Sequence, residues 1–207
     1  MHAFDQHRYQ VRFEWGVEGL GRLAASDIVI VVDVLRFSTT VTDAVARGES
    51  VALADTFATS INGAPVARAA ADSGAVVMLG GLRDASAVAR AALDEQRRRG
   101  ARTSIAVIAA GERGADGTLR FAVEDQLGSG AVIDALGLLG VEQTSPEAAA
   151  AGESFRGLRG AARHLLTASG SGQELVDRGE RDIVLDAAAV DAASVVPVLR
   201  DGVFVAA

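Results

Sequence analysis

Residues 27–33, Asp-Ile-Val-Ile-Val-Val-Asp, form an unbroken β-branched run between two acids. A run with no polar alternation leaves neither face suited to water. It predicts a central strand covered on both sides. Helices on both faces of a mostly parallel sheet require strands and helices to alternate along the chain, and they do. Tyr9, Val11, Phe13 and Trp15 alternate as in a strand with one buried side. Short apolar strands are expected at 50–55, 75–79, 103–111 and 182–188, and a hairpin over Asp201-Gly202 closes the sequence. Helices are expected at 38–48, 62–74 and 84–100, the last stopped by Gly100. A further helix at 120–140 is expected to break or bend near Gly128 and Gly130. Ser145-Pro146-Glu147 reads as a cap, first-turn proline and first-turn acid. Ser171 and Glu174 read as a capping box. The fold class is therefore α/β, a three-layer α/β/α arrangement with a largely parallel or mixed sheet, in a single domain over 1–207.

Composition narrows the function. All 20 basic residues are arginine. Without lysine there is neither a P-loop nor a Schiff base. The sequence has no cysteine, which removes disulfides, thiolate chemistry and cysteine zinc sites. A net charge of -7 argues against a nucleic-acid partner. No apolar run approaches a membrane span, no signal peptide opens the sequence, and a cytoplasmic location is the expectation. The histidines are His2, His7 and His164, two of them near the N-terminus. His164 reads as a packed or capping residue, so a metal site would rest on carboxylates and favour Mg²⁺ or Mn²⁺.

The chemistry-bearing stretch follows the central run. Asp33 is succeeded by Arg36 and by three hydroxyls, Ser38, Thr39 and Thr40. In α/β proteins the carboxyl ends of strands are where ligands sit. An acid, an arginine and hydroxyls there suit an anionic ligand, with or without a metal. Glu124-Asp125 falls in the first turns of a helix, where helix-dipole complementation and a metal or acid–base role are both open. The 168–175 stretch around Ser171 and Gly172 offers backbone N–H groups to an anion, or simply a cap. The dinucleotide-like pattern at Gly19–Ala24 lacks the proper strand-to-helix connection. Gly111-Glu112-Arg113 reads as part of a solvated loop that turns at Asp116-Gly117.

Several of these pieces, in order, resemble the 2-phosphosulfolactate phosphatase family, the ComB-like phosphatases. The matching stretches are VVDVLRFSTT (31–40), ARGES (46–50), LGGLRDASAVA (79–89), VIAAGE (107–112), FAVEDQLGSGAVIDAL (121–136) and the segment from Ser171 to Leu199. The resemblance implies an α/β/α sandwich and Mg²⁺-dependent hydrolysis of 2-phospho-3-sulfolactate to 3-sulfolactate and phosphate, a step of coenzyme M biosynthesis in methanogens. It implies that Asp33 holds the metal or attacks phosphorus, and that Arg36 clamps an anionic group. Ser38, Thr39, Thr40, Arg83, Ser171 and Gly172 would contact substrate, and Glu124 and Asp125 would complete the metal shell or position water. The chain departs from the family pattern between 55 and 78, where three polar segments are shortened, and it carries Asp84 where the family has asparagine. Two other readings stand beside the enzyme: a relative that binds an anionic metabolite without turnover, and a scaffold whose apolar face makes a homodimer.

Overall fold

The computed structural model describes residues 3–207; His2 lies outside the described residues. Strand β1 (Val11–Trp15) leads directly into helix α1 (Gly16–Arg22). The β-branched run forms β2 (Ile28–Val32), which pairs in parallel with β4 (Val76–Gly80) on one side and β5 (Ile105–Ala109) on the other. It is thus central, as its composition requires. Its side chains alternate between two cores: Ile28, Ile30 and Val32 enter one, Val29 and Val31 the other.

The full sheet has seven strands in the order β1-β5-β2-β4-β8-β9-β3, where β3 is Val51–Ala52, β8 Pro197–Arg200 and β9 Val203–Ala206. β1, β5, β2 and β4 run parallel, while β8, β9 and β3 pair antiparallel. The closing hairpin turns where expected, with Asp201 and Gly202 both at positive φ (50° and 80°).

Helices α1, α2 (Phe37–Ala46) and α4 (Gly63–Asp72) cover one face, with a helical turn α3 (Leu53–Thr56) between the last two. Helices α5 (Ala85–Arg99) and α6 (Val123–Leu138) cover the other. Helix α7 (Pro146–Leu158) packs against α6 and the edge strand β1, and α8 (Ala162–Ala168), α9 (Gly170–Asp177) and α10 (Arg181–Ala187) follow on the same side. Among the described residues no helix is long and apolar enough to cross a membrane.

Four expectations need correction. The strand expected over 182–188 is instead helix α10 as far as Ala187, because Val184 and Ala187, three apart, share the buried face; a short Ile-Val-Leu run does not by itself choose between strand and helix. The strand expected over 50–55 stops after Ala52 and turns into α3. Helix α6 is continuous. Its glycines permit close packing: a Cβ at Gly128 would lie 2.5 Å from Val34 Cγ2, and one at Gly130 2.2 Å from the Ala151 carbonyl oxygen of α7. Finally, α9 is capped by Ser169, whose hydroxyl donates to Leu166 O (2.9 Å) and accepts from Gly172 N (3.1 Å), so one side chain ends α8 and begins α9.

One buried charge ties the first strand to its surroundings. Arg12 is 5% exposed, and its guanidinium donates to the carbonyls of Tyr9, Ala24, Ala25 and His7 and to Ser26 Oγ at 2.8–3.3 Å. Five donors in a fixed fork suit such a cage of carbonyls, which a lysine would not satisfy.

Candidate active site

The connections leave neighbouring strands toward opposite faces. After β2 the chain passes to α2, and after β5 it passes to α6 across the sheet. Where adjacent parallel strands part in this way, a crevice opens at their carboxyl ends. Asp33, the residue after β2, stands there, 6% exposed. Its Oδ1 accepts from Phe37 N (3.3 Å) and its Oδ2 from Gly63 N (2.9 Å). Position 63 must be glycine for that approach, since a Cβ would come within 2.6 Å of Asp33 Oδ2. Burial pushes the Asp33 carboxyl up to about 6, opposed by those two amides and assisted by Glu112 and Glu124.

Asp125, on the first turn of α6, joins the two loops. Its Oδ1 accepts from Val34 N (2.8 Å), after β2, and its Oδ2 from Gly111 N (2.9 Å), after β5. Burial, with Asp33 and Glu124 nearby, raises its carboxyl well above the ordinary carboxylate range. Glu124 is 3% exposed, and among the described residues it accepts no hydrogen bond. Asp125 thus holds two loops together in addition to complementing the helix dipole.

A cleft of about 670 Å³ opens from Asp33 between α2 and the α9–α10 pair. Arg36, Thr39, Thr40, Glu112 and Ser171 line it. The Leu35–Arg36 peptide is cis. Arg36 faces Glu180 across the cleft at 3.5 Å, with both side chains about 40% exposed, a pair weak enough for an anionic ligand to displace. Of the three hydroxyls, two shape the turn. Ser38 Oγ accepts from Asp33 N (3.0 Å) and donates to Val31 O (3.2 Å), and Thr39 Oγ1 donates to Val34 O (2.8 Å). Thr40 alone is exposed.

Other candidates lie elsewhere. Arg83 is bound to Asp43 at 2.7 Å and does not line the cleft. Gly172 packs against α8, where a Cβ would lie 1.8 Å from Leu166 O. His164 is exposed on α8 rather than packed, and His7 pairs with Asp5. The glycines of the dinucleotide-like pattern sit inside α1 and its end, with no phosphate loop.

The residue missed from sequence is Glu112. The polar stretch after β5 is a small hairpin, β6 (Glu112–Arg113) with β7 (Leu119–Arg120), and Glu112 at its base turns into the cleft. Its Oε1 accepts from Asn62 Nδ2 (3.0 Å), and its Oε2 from Ser171 Oγ (3.4 Å). These partners are 50 and 59 residues away, so no local pattern could reveal them.

The description of the 2-phosphosulpholactate phosphatase family matches residues 47–202. The chain belongs to that family. Membership places it among phosphoric monoester hydrolases, and the mixed sheet between two helical layers is the architecture the resemblance implied. The match takes in Arg83, Glu112, Glu124, Asp125 and Ser171 and begins beyond Asp33 and Arg36. No curated protein matches the chain.

Asp84 is a further buried acid at the carboxyl edge, at the start of α5, and it supports a separate expectation. It accepts from Gly81 N (2.8 Å) and Thr42 Oγ1 (3.2 Å), yet burial raises its carboxyl to about 7. Below about pH 4 both folded and unfolded forms are protonated. Between about 4 and 7 the unfolded chain releases the proton that the folded protein keeps, so stability falls as pH rises, by up to roughly 4 kcal/mol when complete. In Asp84→Asn the amide oxygen can accept from Gly81 N and the amide nitrogen can donate to Thr42 Oγ1, with no charge to bury. Thermal melts from pH 4 to 8 should show a shallower decline for the variant and a Tm at pH 8 higher by about 5 °C or more. Parallel curves would mean that Asp84 is not the source of the slope.

Proposed function

We propose that the protein is a Mg²⁺-dependent phosphatase of small anionic phosphate monoesters, with 2-phospho-3-sulfolactate, released as 3-sulfolactate and phosphate, as its leading substrate. The observation that carries this reading is Asp33, fixed by two backbone amides at the head of a cleft whose walls present Arg36, Thr40 and Ser171. Arg36 is suited to a bidentate grip on phosphate or sulfonate, and the two hydroxyls to phosphoryl oxygens.

The donor chemistry fits a hard cation. Asp33 and Glu124 are neighbouring, nearly buried carboxylates, and among the described residues no basic side chain pairs with Glu124. Among the described residues no three His, Asp or Glu side chains form a ready cage. Mg²⁺ commonly takes only one or two carboxylates and completes its shell with phosphate and water. Asp33 and Glu124 would hold it, and its charge would offset that of the phosphoryl group. Asp125 is assigned to positioning: its two oxygens tie the loop after β2 to the loop after β5, and unlike Asp33 it does not line the cleft.

The attacking group is water. Asp33 is buried and held at both oxygens, so reaching phosphorus would break two hydrogen bonds. Arg36 and the hydroxyls orient the ester for in-line displacement.

The test is phosphate release from racemic 2-phospho-3-sulfolactate and from a panel of other monoesters, with Mg²⁺ and with EDTA. Metal-dependent release is expected. Thermal stabilisation by these esters without turnover would replace the enzyme with a binding protein. No release and no stabilisation, from folded protein, would overturn the reading.

A further inference from the structure

We propose that Glu112 is the general base that activates the attacking water, an assignment that rests on the phosphatase reading. The carboxylates around the cleft separate by what already holds them. Asp33 is closed in by two amides, Asp43 pairs with Arg83 at 2.7 Å, Glu174 pairs with Arg178 at 3.3 Å, and Asp55 on α3 is exposed, with no donor among the described residues to aim it. Glu112 is half-buried, opens on the cleft and has no ion-pair partner among the described residues. Asn62 Nδ2, Arg113 N (3.0 Å) and Ser171 Oγ all present donors to it. A carboxylate accepts from all three, so the network holds the side chain as an acceptor, the form a base requires. The Ser171 contact, at 3.4 Å, is the longest of them and the one that water entering the cleft can replace.

The step balances without a further reactant. Water gives a proton to a Glu112 oxygen as its own oxygen bonds to phosphorus. The phosphorus–oxygen bond to the alcohol breaks, and its electron pair leaves on the alkoxide, which takes a proton from solvent. Glu112 returns its proton to solvent, leaving alcohol, phosphate and unchanged enzyme. Asn62 and the Arg113 amide hold the carboxylate at Oε1, with Asn62 as the positioning residue, while Ser171, displaced by the water, turns its hydroxyl to the phosphoryl group.

The experiment uses the full chain and whichever monoester it hydrolyses best. Glu112→Gln keeps the hydrogen-bonding shape but not the base. It is expected to lose about 10²- to 10³-fold in kcat with KM and Tm little changed. In Glu112→Ala, added formate is expected to restore turnover by about tenfold or more, because a free carboxylate can occupy the vacated place. A merely structural role would not yield to formate. Glu112→Gln turning over within a few-fold of wild type would overturn the assignment while leaving the phosphatase reading intact. Loss of activity with a fallen Tm and no formate rescue would reduce Glu112 to a strap for the hairpin. A wild-type protein that hydrolyses no monoester would remove the phosphatase reading, and the base with it.

Discussion

Asp33→Asn is expected to lower phosphate release by on the order of 100-fold or more at saturating Mg²⁺. Loss of an outer partner to a metal ligand commonly costs 10- to 100-fold, so loss of the carboxylate itself sets a higher floor. The change is conservative in shape but not in hydrogen bonding. Asparagine offers one acceptor where Asp33 now meets two donors, Phe37 N and Gly63 N. Its amide nitrogen would oppose one of them. Steady-state phosphate release and a thermal melt should therefore be taken together. A large fall in kcat with Tm nearly unchanged supports a role in the reaction. Turnover like wild type would remove Asp33 from the chemistry and leave it as a loop anchor.

The largest expected loss of stability comes from the opposite end of the first strand. Arg12→Met keeps the length and the apolar stem but leaves the carbonyls of Tyr9, Ala24, Ala25 and His7 without their donor. Removing one side of a buried charged network costs about 3–5 kcal/mol, and each stranded acceptor adds to it. A fall in Tm of roughly 10 °C is expected, with kcat at temperatures below the melt preserved, because Arg12 is not part of the cleft. A melt within 2 °C or so of wild type would mean that water satisfies those carbonyls readily.

What the sequence disclosed follows from how local each cause is. Ile28–Val32 announced a doubly covered strand because burial on both faces leaves no room for polar alternation, and the α/β class follows from it. Asp33 was legible because it closes that strand. Residues 181–187 were not, since a short apolar run satisfies either periodicity until its neighbours are known. Gly128 and Gly130 suggested a bend because propensity disfavours glycine in helices, whereas Val34 and α7 lie too close for any side chain. Glu112 looked solvated because its loop is polar, and its partners come from α9 and from the turn before α4. The hydroxyl trio was visible as a cluster, but which members face the backbone depends on the path of the chain after Asp33.

The Asp125 carboxylate has a consequence for how such a pocket can change. It grips the loops after β2 and β5 together, and the helix that carries it packs against the central strands and against α7. The loops after β2 and β5 are therefore tied through one carboxylate, so a shift at either is passed to the other. Helix α2 is tied back by Asp43–Arg83, whereas the α9–α10 wall meets the rest of the cleft through Arg36–Glu180 and Ser171–Glu112, both long, single contacts. Adaptation to a new alcohol moiety has its freedom in that wall. Substitutions at Leu175, Arg178 or Ile183 are expected to change which ester is admitted while leaving in place the groups proposed for the chemistry.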